Sequence, residues 1–385
     1  MSKVKIAMIG CGGIAGAHCR GLDALWNAGY RDFEIVATCD VVPEKAEEKA
    51  DELEKVQRSR PETFEDFEVL LDKGPECDGV DICTLHSEHH TIAVPCLEAG
   101  KHVTIEKPLG ITLRAAKKII DAAKKADRIV QTAENYRLKA SNRAIRWAID
   151  SGMIGDPWMI FWLQVRERLW YWGWREHKMQ AGAGWALDGG VHYCDLFRYF
   201  IGPVTTVSAN VRSFFPVRYQ DRENLTGPID VDVEDCSETL LEFENGALGT
   251  WISTNVARGE AFNKNAIYGS EGSLHFDSGL TSGDRELSIE ELIEAHQNSL
   301  TEEEREELFP HGVEDTIGIE LHQFFEAVQG RGKVETDALE GYHAEAIALA
   351  LFESDRTGRR VSIEEVEDLA IEDYQGEINE ELGID

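Results

Sequence analysis

Apolar and polar residues form two recurring patterns in the first third of the chain. Short apolar runs of strand length are each followed by a segment with apolar residues at helical spacing, as at Ile14, Leu22 and Leu25. The predicted strands are 4–9, 33–39, 79–84, 102–106 and 129–133. Strands that alternate with helices form parallel sheets with right-handed crossovers. The pattern therefore predicts an α/β domain over residues 1–135, a doubly wound parallel sheet of the Rossmann type.

After a predicted helix at 141–151 and a turn at 155–157, the pattern changes to strands at hairpin spacing, without regular helices between them. These strands are predicted at 158–168, 204–213, 237–243, 247–254 and 265–268. The spacing predicts a second domain over residues 136–385, an α+β domain with a largely antiparallel open sheet. Its C-terminal helices are expected to pack back on the first domain. The strongly acidic segment 282–315 has the character of an insertion and indicates no function.

The first predicted strand ends at a glycine-rich turn that opens the first helix. Gly10, Gly12 and Ala15 match the pattern G-x-G-x-x-G/A in this strand-to-helix context. The first glycine permits the tight turn, the second lets the backbone approach a pyrophosphate, and the small third residue lets helix and strand pack closely. We therefore expect a dinucleotide at the helix N-terminus. Its candidate contacts are Gly10, Gly12, Gly13 and Ile14. A glycine-rich turn that binds no nucleotide is the alternative.

Asp40 ends the second predicted strand. An acidic residue at this point can accept hydrogen bonds from the ribose hydroxyls of an adenosine. No arginine follows Asp40, only Val41-Val42-Pro43, so nothing obvious in the sequence would hold a 2′-phosphate. NAD is therefore favoured over NADP as the cofactor. Alternatively, Asp40 caps the helix that begins near Pro43.

The chain is strongly acidic, with 72 acidic and 39 basic residues and a net charge of −33. Such a surface repels nucleic acid and anionic membranes, so neither is expected as a partner. The acidity fits either a salt-rich cytoplasm or an ordinary acidic enzyme. No apolar run is long enough for a transmembrane helix, and a strand that starts at Val4 leaves no room for a signal peptide. The eight cysteines are scattered without a C-x-x-C pair, so we expect a cytoplasmic protein.

Several short motifs occur in a specific order along the chain. They are 10–16, 100–110 with Glu106-Lys107-Pro108, 154–157, 187–195, 243–247 and 268–273. In this order they resemble the Gfo/Idh/MocA oxidoreductases, the relatives of glucose–fructose oxidoreductase and inositol dehydrogenase, over nearly the whole chain. The resemblance implies an NAD-dependent enzyme that moves a hydride between the nicotinamide and a secondary hydroxyl of a sugar, glycoside or cyclitol. It also implies a homodimer or homotetramer, formed through the open face of the second domain's sheet.

Lys107, Asp188 and His192 are the catalytic residues that the resemblance implies, and their chemistry suits these roles. A lysine after the carboxyl end of a strand can hydrogen bond the substrate oxygen and stabilise its developing charge. Asp188 and His192 are four residues apart and would share one helical face if the helix began near Asp188. The imidazole can take the hydroxyl proton while the carboxylate orients it. The alternatives are a surface lysine, a helix-capping aspartate and a packed core histidine.

Further site residues are implied by their positions in the family's motifs. The cofactor candidates are Thr84, His86, His89, Glu106, Lys107 and Asn135. The substrate candidates are Lys107, Tyr136, Arg166, Trp174, Arg175, Asp188 and His192. Residues 84–89 read T-L-H-S-E-H where many members have T-P-N-x-x-H, so a cofactor contact by His86 departs from the family pattern. These histidines do not predict a metal site, because the motif accounts for them and no spaced carboxylate or cysteine partner is evident.

Two other functions are compatible with the same site. One is a glycoside-cleaving or eliminating enzyme that retains NAD and oxidises its substrate only transiently. Glycosidases of the superfamily usually carry a different motif around the histidine. The other is a non-catalytic dinucleotide-binding sensor, although such relatives tend to lose the lysine or the histidine, and this chain has both. Both alternatives rank behind the dehydrogenase.

Overall fold

The computed structural model describes residues 3–221 and 223–385. The chain divides into two compact units. The first contains residues 1–110, 115–139 and 300–342, and the second contains residues 111–114, 140–299 and 343–385. Each unit is built on one large β-sheet.

The first unit has a six-stranded parallel sheet with the order β3-β2-β1-β4-β5-β6. The strands are β1 (Val4–Ile9), β2 (Phe33–Cys39), β3 (Glu62–Phe64), β4 (Gly79–Ile82), β5 (His102–Ile105) and β6 (Val130–Thr132). The α-helices wholly or mostly in this unit are Gly13–Asn27, Pro43–Gln57, Phe67–Lys73, His89–Glu98, Leu113–Ala126, Glu302–Leu308 and Thr316–Val328. The Rossmann sheet predicted from the sequence is confirmed. Its strand order reverses between β1 and β4, where such sheets bind ligands at the carboxyl ends of their strands.

Residues 300–342 join the first unit through helix Thr316–Val328, which packs on helix Gly13–Asn27. At their crossing, a Cβ on Gly21 would lie 2.8 Å from the backbone nitrogen of Gly318. Only glycine therefore fits at position 21 without displacing the second helix. The first unit is thus discontinuous in sequence, and a late segment of the chain completes it.

The second unit has a nine-stranded sheet with the order β16-β15-β14-β13-β7-β12-β11-β8-β17, and a separate hairpin of β9 and β10. The strands are β7 (Pro157–Val165), β8 (Val204–Arg212), β9 (Val217–Asp221), β10 (Thr226–Asp230), β11 (Cys236–Phe243), β12 (Leu248–Thr254), β13 (Phe262–Gly269), β14 (Ser273–His275), β15 (Gly279–Ser282), β16 (Arg285–Leu287) and β17 (Val361–Ser362). The pairs in the large sheet are antiparallel except β7 with β12. The largely antiparallel sheet predicted for the second domain is therefore confirmed. The α-helices wholly or mostly in this unit are Ala140–Asp150, Lys178–Ala181, Trp185–Asp188, Val191–Phe200, Ile289–Ser299, Ala338–Thr357, Ile363–Glu367 and Gln375–Leu382.

The two faces of the nine-stranded sheet differ in burial. On one face Trp251 is fully buried and packs on Phe197, with ring centroids 5.8 Å apart. The opposite face carries large apolar side chains that are at least half exposed, namely Leu240 (61%), Leu248 (55%) and Phe262 (50%). Apolar side chains exposed together on one face indicate an interaction surface.

The acidic segment 282–315 is folded, and it contains β16 and the helices Ile289–Ser299 and Glu302–Leu308. The second of these helices begins with a capping box, in which Thr301 and Glu304 each accept the other's backbone N–H. Three glutamates in its first turn also complement the positive end of the helix dipole. Within residues 3–221 and 223–385, no helix has both the length and the apolar character that are needed to cross a membrane.

Candidate active site

The glycine-rich turn between β1 and the first helix leaves open space at the helix N-terminus. Gly10 has a φ of +88°, and a Cβ there would lie 2.6 Å from the carbonyl oxygen of Cys83, so only glycine fits. A Cβ on Gly12 or Gly13 would meet no atom within 4 Å. The helix begins at Gly13, and the preceding residue has no side chain to cap it. Its first N–H groups are therefore available to an anion, which fits the pyrophosphate of a dinucleotide.

Asp40 connects the end of β2 to this turn. One carboxylate oxygen accepts the backbone N–H of Cys11 at 2.8 Å, and the other accepts that of Val42 at 2.9 Å. The next helix has Val42 as its N-cap residue and no side-chain cap, so Asp40 does not cap that helix. The carboxylate is half-buried beside the glycine-rich turn.

Thr84, His86 and His89 follow the carboxyl end of β4. Thr84 is half-buried, whereas the rings of His86 and His89 are buried with centroids 5.7 Å apart. His89 Nδ1 donates to the carbonyl oxygen of Pro108 at 2.8 Å. Burial lowers the pKa of His89 to about 3, so its imidazole is neutral. His89 thus supports the backbone next to Lys107. The peptide bond between Lys107 and Pro108 is cis.

A buried network adjoins Lys107, and the sequence analysis did not identify it. His18 Nδ1 lies 2.9 Å from Asp81 Oδ2, and His18 Nε2 lies 3.1 Å from Glu106 Oε1. The other oxygen of Glu106 accepts the backbone N–H of Lys107 at 3.2 Å. Burial by itself lowers the pKa of His18, but the negative charge of Asp81 more than offsets this and holds the pKa well above its ordinary value. The imidazole is therefore protonated and bridges two carboxylates.

Glu320, from the late helix that packs on the first one, is a further buried carboxyl group near this network. Neither of its oxygens has a hydrogen-bond partner in the described part of the chain. Burial raises the pKa of Glu320 well above its ordinary value, and the charges of Glu106 and Asp81 add to this effect. Within residues 3–221 and 223–385, one group of potential metal ligands has its ligand atoms within 4.8 Å of one another, namely His18, Asp81 and Cys83. Both ring nitrogens of His18 already meet carboxylates, so neither of them is available as a metal ligand.

Asn135 and Tyr136 follow β6 and are half-buried. Lys139 Nζ lies 3.3 Å from the centroid of the Tyr136 ring, and burial lowers the pKa of Lys139. All cofactor candidates, together with Lys107 and Tyr136, therefore lie in the first unit. The remaining substrate candidates lie in the second unit.

Asp188 and His192 do not lie on one helix, so the condition for a shared helical face, a helix that begins near Asp188, is not met. A short helix ends at Asp188, and the next helix begins at Val191. Gly190 lies between them, where a Cβ would be 2.3 Å from the carbonyl oxygen of Ala186. Close packing therefore demands glycine at this point, and glycine is a poor helix former. The second helix has Gly190 as its N-cap residue.

Asp188 is buried and forms an ion pair with Arg175, whose Nε lies 3.2 Å from Asp188 Oδ1. Glu234, which the sequence analysis did not identify, holds the segment that leads to Asp188. Its two carboxylate oxygens accept the backbone N–H groups of Gly184 at 2.7 Å and Ala186 at 2.8 Å. Burial raises the pKa of Glu234 to about 7. Charged groups thus fix the position of Asp188 both directly and through the preceding backbone.

The other substrate candidates of the second unit stack on indole rings. The Arg175 guanidinium lies 4.4 Å from the ring centroid of Trp174, and that of Arg166 lies 4.7 Å from the ring centroid of Trp185. Arg166 Nε also donates to Asn255 Oδ1 at 3.2 Å. Indole faces next to oriented guanidinium donors suit a polyhydroxylated ring, whose C–H faces stack while its hydroxyls hydrogen bond.

Models of known protein families match both parts of the chain. Residues 4–134 match the NAD-binding Rossmann fold of the Gfo/Idh/MocA oxidoreductases, and residues 146–363 match the C-terminal alpha/beta domain of the same family. The chain belongs to the Gfo/Idh/MocA oxidoreductase family. The resemblance drawn from the motifs is thus confirmed, and this Gfo/Idh/MocA protein is an NAD-dependent oxidoreductase.

Similar proteins in this family are sugar dehydrogenases by name. D-glucoside 3-dehydrogenase of Escherichia coli (strain K12) is 24% identical over 370 residues, which cover 94% of this chain and 98% of that protein. Levoglucosan dehydrogenase of Pseudarthrobacter phenanthrenivorans is 27% identical over 394 residues, which cover 92% of this chain and 96% of that protein. A solved structure of levoglucosan dehydrogenase in complex with NADH and L-sorbose is similar with a TM-score of 0.77 at 26% identity, over 94% of this chain and 99% of that chain.

Proposed function

We propose that this oxidoreductase acts on a secondary hydroxyl of a sugar, glycoside or cyclitol and oxidises it to a ketone. The observation that carries the proposal is the arrangement at the carboxyl edge of the Rossmann sheet. β1, β4 and β5 are neighbours, and they are followed by the glycine-rich turn, by residues 84–89 and by Glu106-Lys107-Pro108 respectively. A lysine donor therefore lies on the sheet edge at which dinucleotides bind. The names of the relatives support a carbohydrate substrate.

The three catalytic candidates have complementary roles in this proposal. Bound NAD supplies the hydride acceptor. Lys107 hydrogen bonds the hydroxyl oxygen and stabilises the negative charge that develops as the proton leaves. His192 accepts that proton as the general base. Asp188 supports the charged form of His192, and the ion pair with Arg175 orients the Asp188 carboxylate.

The cofactor candidates divide by exposure into two proposed groups. Those with accessible surface are proposed to contact NAD directly: Gly12, Gly13, Ile14, Asp40, Thr84, Lys107 and Asn135. Those that are buried are proposed to hold the contacting segments in place: Gly10, His86, His89 and Glu106. The hydrogen bonds of His89 to Pro108 and of Glu106 to Lys107 support this second role.

The activity is tested by offering the purified protein, with NAD, a panel of inositols, free sugars and glycosides while NADH absorbance is recorded. Mass spectrometry identifies the products. We expect NADH in stoichiometric amounts together with a ketone. Bond cleavage without NADH would instead favour an NAD-retaining lyase or glycosidase. Binding of NAD without turnover of any compound would contradict the proposed activity.

Asp40→Ala is expected to weaken NAD binding about tenfold or more and to narrow the preference for NAD over NADP. The reason is that the ribose hydroxyls lose a charged acceptor. The measurement is the Kd of each cofactor, from titration of protein fluorescence. Asp40→Asn is the matched variant, because its amide oxygen still accepts a backbone N–H of the turn while the charge is lost. An unchanged ratio of the two Kd values in Asp40→Ala would show that the carboxylate serves only the turn.

We also propose that the protein is a homodimer or homotetramer that pairs through the open face of the nine-stranded sheet. The double variant Leu240→Glu, Leu248→Glu places charges among the exposed apolar side chains of that face, and burying them in an interface would be costly. We expect it to have the mass of a 43.1 kDa monomer by light scattering. Val69→Glu, at a 41% exposed position in the Rossmann unit, is the control and should keep the wild-type mass. A double variant with the wild-type mass would argue against this interface.

The cytoplasm is the proposed location. No disulfide links any of the eight cysteines, all of which lie in the described residues, and seven of them are buried, as suits thiols in a reducing compartment. The net charge of −33 also supports a protein without nucleic-acid or anionic-membrane partners.

A further inference from the structure

The second unit contains a cluster of arginines whose positive charges are only partly compensated. Its members are Arg166, Arg168, Arg175 and Arg218. Arg175 pairs with Asp188 at 3.2 Å, and Arg218 pairs with Glu176 at 3.3 Å. In the described part of the chain, neither Arg166 nor Arg168 has a carboxylate within ion-pair distance. The acidic residue between them in sequence, Glu167, pairs instead with Arg258 at 3.4 Å. Two guanidinium charges therefore lack a counter-charge.

Aromatic rings, rather than hydrogen bonds, hold the side chain of Arg168. Its guanidinium carbon lies 3.5 Å from the ring centroid of Trp172 and 4.8 Å from that of Trp170. Its Nε is buried and has no hydrogen-bond partner in the described residues. Burial lowers the pKa of Arg168 to about 10, and the neighbouring charge of Arg166 contributes to this. Stacking thus orients the guanidinium plane and leaves the Nε–H donor without a partner among the described residues.

The cluster adjoins the proposed catalytic residue Asp188. One small cavity is lined by Arg168, Arg175, Asp188, Glu234 and Asn255, among others. The nearby carboxylates do not balance the arginines, because Asp188 and Glu176 are each already paired with one of them. Glu234 has a pKa of about 7 and is therefore only partly ionised at neutral pH. A surplus of positive charge at this point contrasts with the net charge of −33 on the whole chain.

We propose that the substrate is an anionic sugar, one that carries a carboxylate or a phosphate group, and that Arg166 and Arg168 bind this group. The inference rests on the proposed function, because it names the substrate class of the same site. A guanidinium donates two parallel N–H bonds to a carboxylate or phosphate, and its planar shape selects such groups. A neutral sugar would leave both guanidinium charges uncompensated as the site loses water. The bound oxyanion supplies the missing counter-charge.

The test pairs each neutral sugar with its own anionic derivatives, namely glucose with glucuronate and glucose 6-phosphate, and galactose with galacturonate and galactose 6-phosphate. NADH formation gives kcat/KM, and calorimetric titration gives the affinity in the presence of NADH. We expect kcat/KM for one anionic class to exceed that for the neutral sugar about a hundredfold, because two charge-assisted contacts are added. The uronates and the phosphates separate the two sources of the oxyanion. Added salt should raise KM for the anionic sugar only.

Three variants distinguish recognition of the anion from a structural role. Arg168→Gln should lower kcat/KM for the anionic sugar at least about tenfold more than for its neutral counterpart. Arg166→Gln should act in the same direction. It remains informative if the first variant does not fold, since the Arg166 side chain makes one hydrogen bond, to Asn255, and one stacking contact, with Trp185, among the described residues. Arg258→Gln, at a 72% exposed arginine, is the matched control and should change neither value.

The outcomes separate this inference from the proposed function. A preference for neutral sugars, with NADH formed, would overturn the anionic substrate and leave the dehydrogenase standing. Equal losses for neutral and anionic sugars in both Arg168→Gln and Arg166→Gln would also overturn it, because the arginines would then serve only the fold. If no NADH forms with this series or with the wider panel of sugars, glycosides and inositols, the proposed function is overturned. This inference is then overturned with it.

Discussion

His192→Ala lowers kcat by about 10² to 10⁴ while the Kd for NAD stays within about twofold of wild type. This is the expected result if His192 is the general base, because the hydroxyl proton then loses its positioned acceptor. His192 belongs to the second unit, whereas the glycine-rich turn that is proposed to hold the cofactor belongs to the first unit. The measurements are steady-state NADH formation and fluorescence titration with NAD.

Two further experiments separate proton transfer from packing at this residue. Added imidazole should restore part of kcat in His192→Ala, since it can enter the space that the ring leaves and accept the proton. His275→Ala, at a half-buried histidine elsewhere in the second unit, should retain nearly all activity. Turnover close to wild type in His192→Ala would exclude His192 as the base.

His18→Leu is expected to lower the free energy of unfolding by about 3 to 5 kcal/mol. The variant leaves Asp81 and Glu106 buried without the cation that lies between them, and breaking a buried ion pair has a cost of this size. Glu106 also accepts the backbone N–H of Lys107, so we expect a lower kcat in whatever fraction remains folded. Urea denaturation followed by circular dichroism gives the change in stability.

The pH dependence and a control variant test the charge of His18. Because its pKa in the folded protein is raised, the stability that it contributes is fully present below the unfolded-state pKa of about 6.5 and is lost as the pH rises through the folded pKa. The difference between wild type and His18→Leu should therefore be large at pH 6 and shrink under alkaline conditions. His343→Leu removes a similar pair with Glu367, at 2.6 Å but one-third exposed, and should cost less than about 1 kcal/mol. Equal costs for the two variants would contradict the buried charge network.

Local sequence patterns were sufficient to predict five of the six strands of the first sheet. β2 spans Phe33–Cys39 as predicted, and β4 and β5 lie within their predicted runs. Such strands are buried on both faces, so each is a continuous apolar run that no distant residue has to define. β3 was not predicted, because its sequence Glu-Thr-Phe has no such run and it forms only by pairing with the end of β2.

The same sequence patterns predicted only part of the candidate site. Glycine spacing predicted the open turn at Gly12 and Gly13, and the order of motifs identified the family to which the chain belongs. The contact between Arg175 and Asp188 had no sequence signal, although both residues had been identified as site candidates. The four-residue spacing of Asp188 and His192 was misleading, because it assumed a continuous helix. The roles of these residues stay predictions until the variants are measured.

The sequence by itself determined the Rossmann sheet and the glycine-rich turn, because each depends on neighbours along the chain, and the order of its motifs identified the family. Only the tertiary structure decided that helix Thr316–Val328 completes the first unit and that His18 bridges Asp81 and Glu106. An acidic residue in an apolar run, such as Asp81 between Val80 and Ile82, signals a buried charge but does not name its partner. The partner depends on which distant segments of the chain bury the acidic residue. Burial away from water fixes the protonation state of the two groups and makes an ion pair between them necessary.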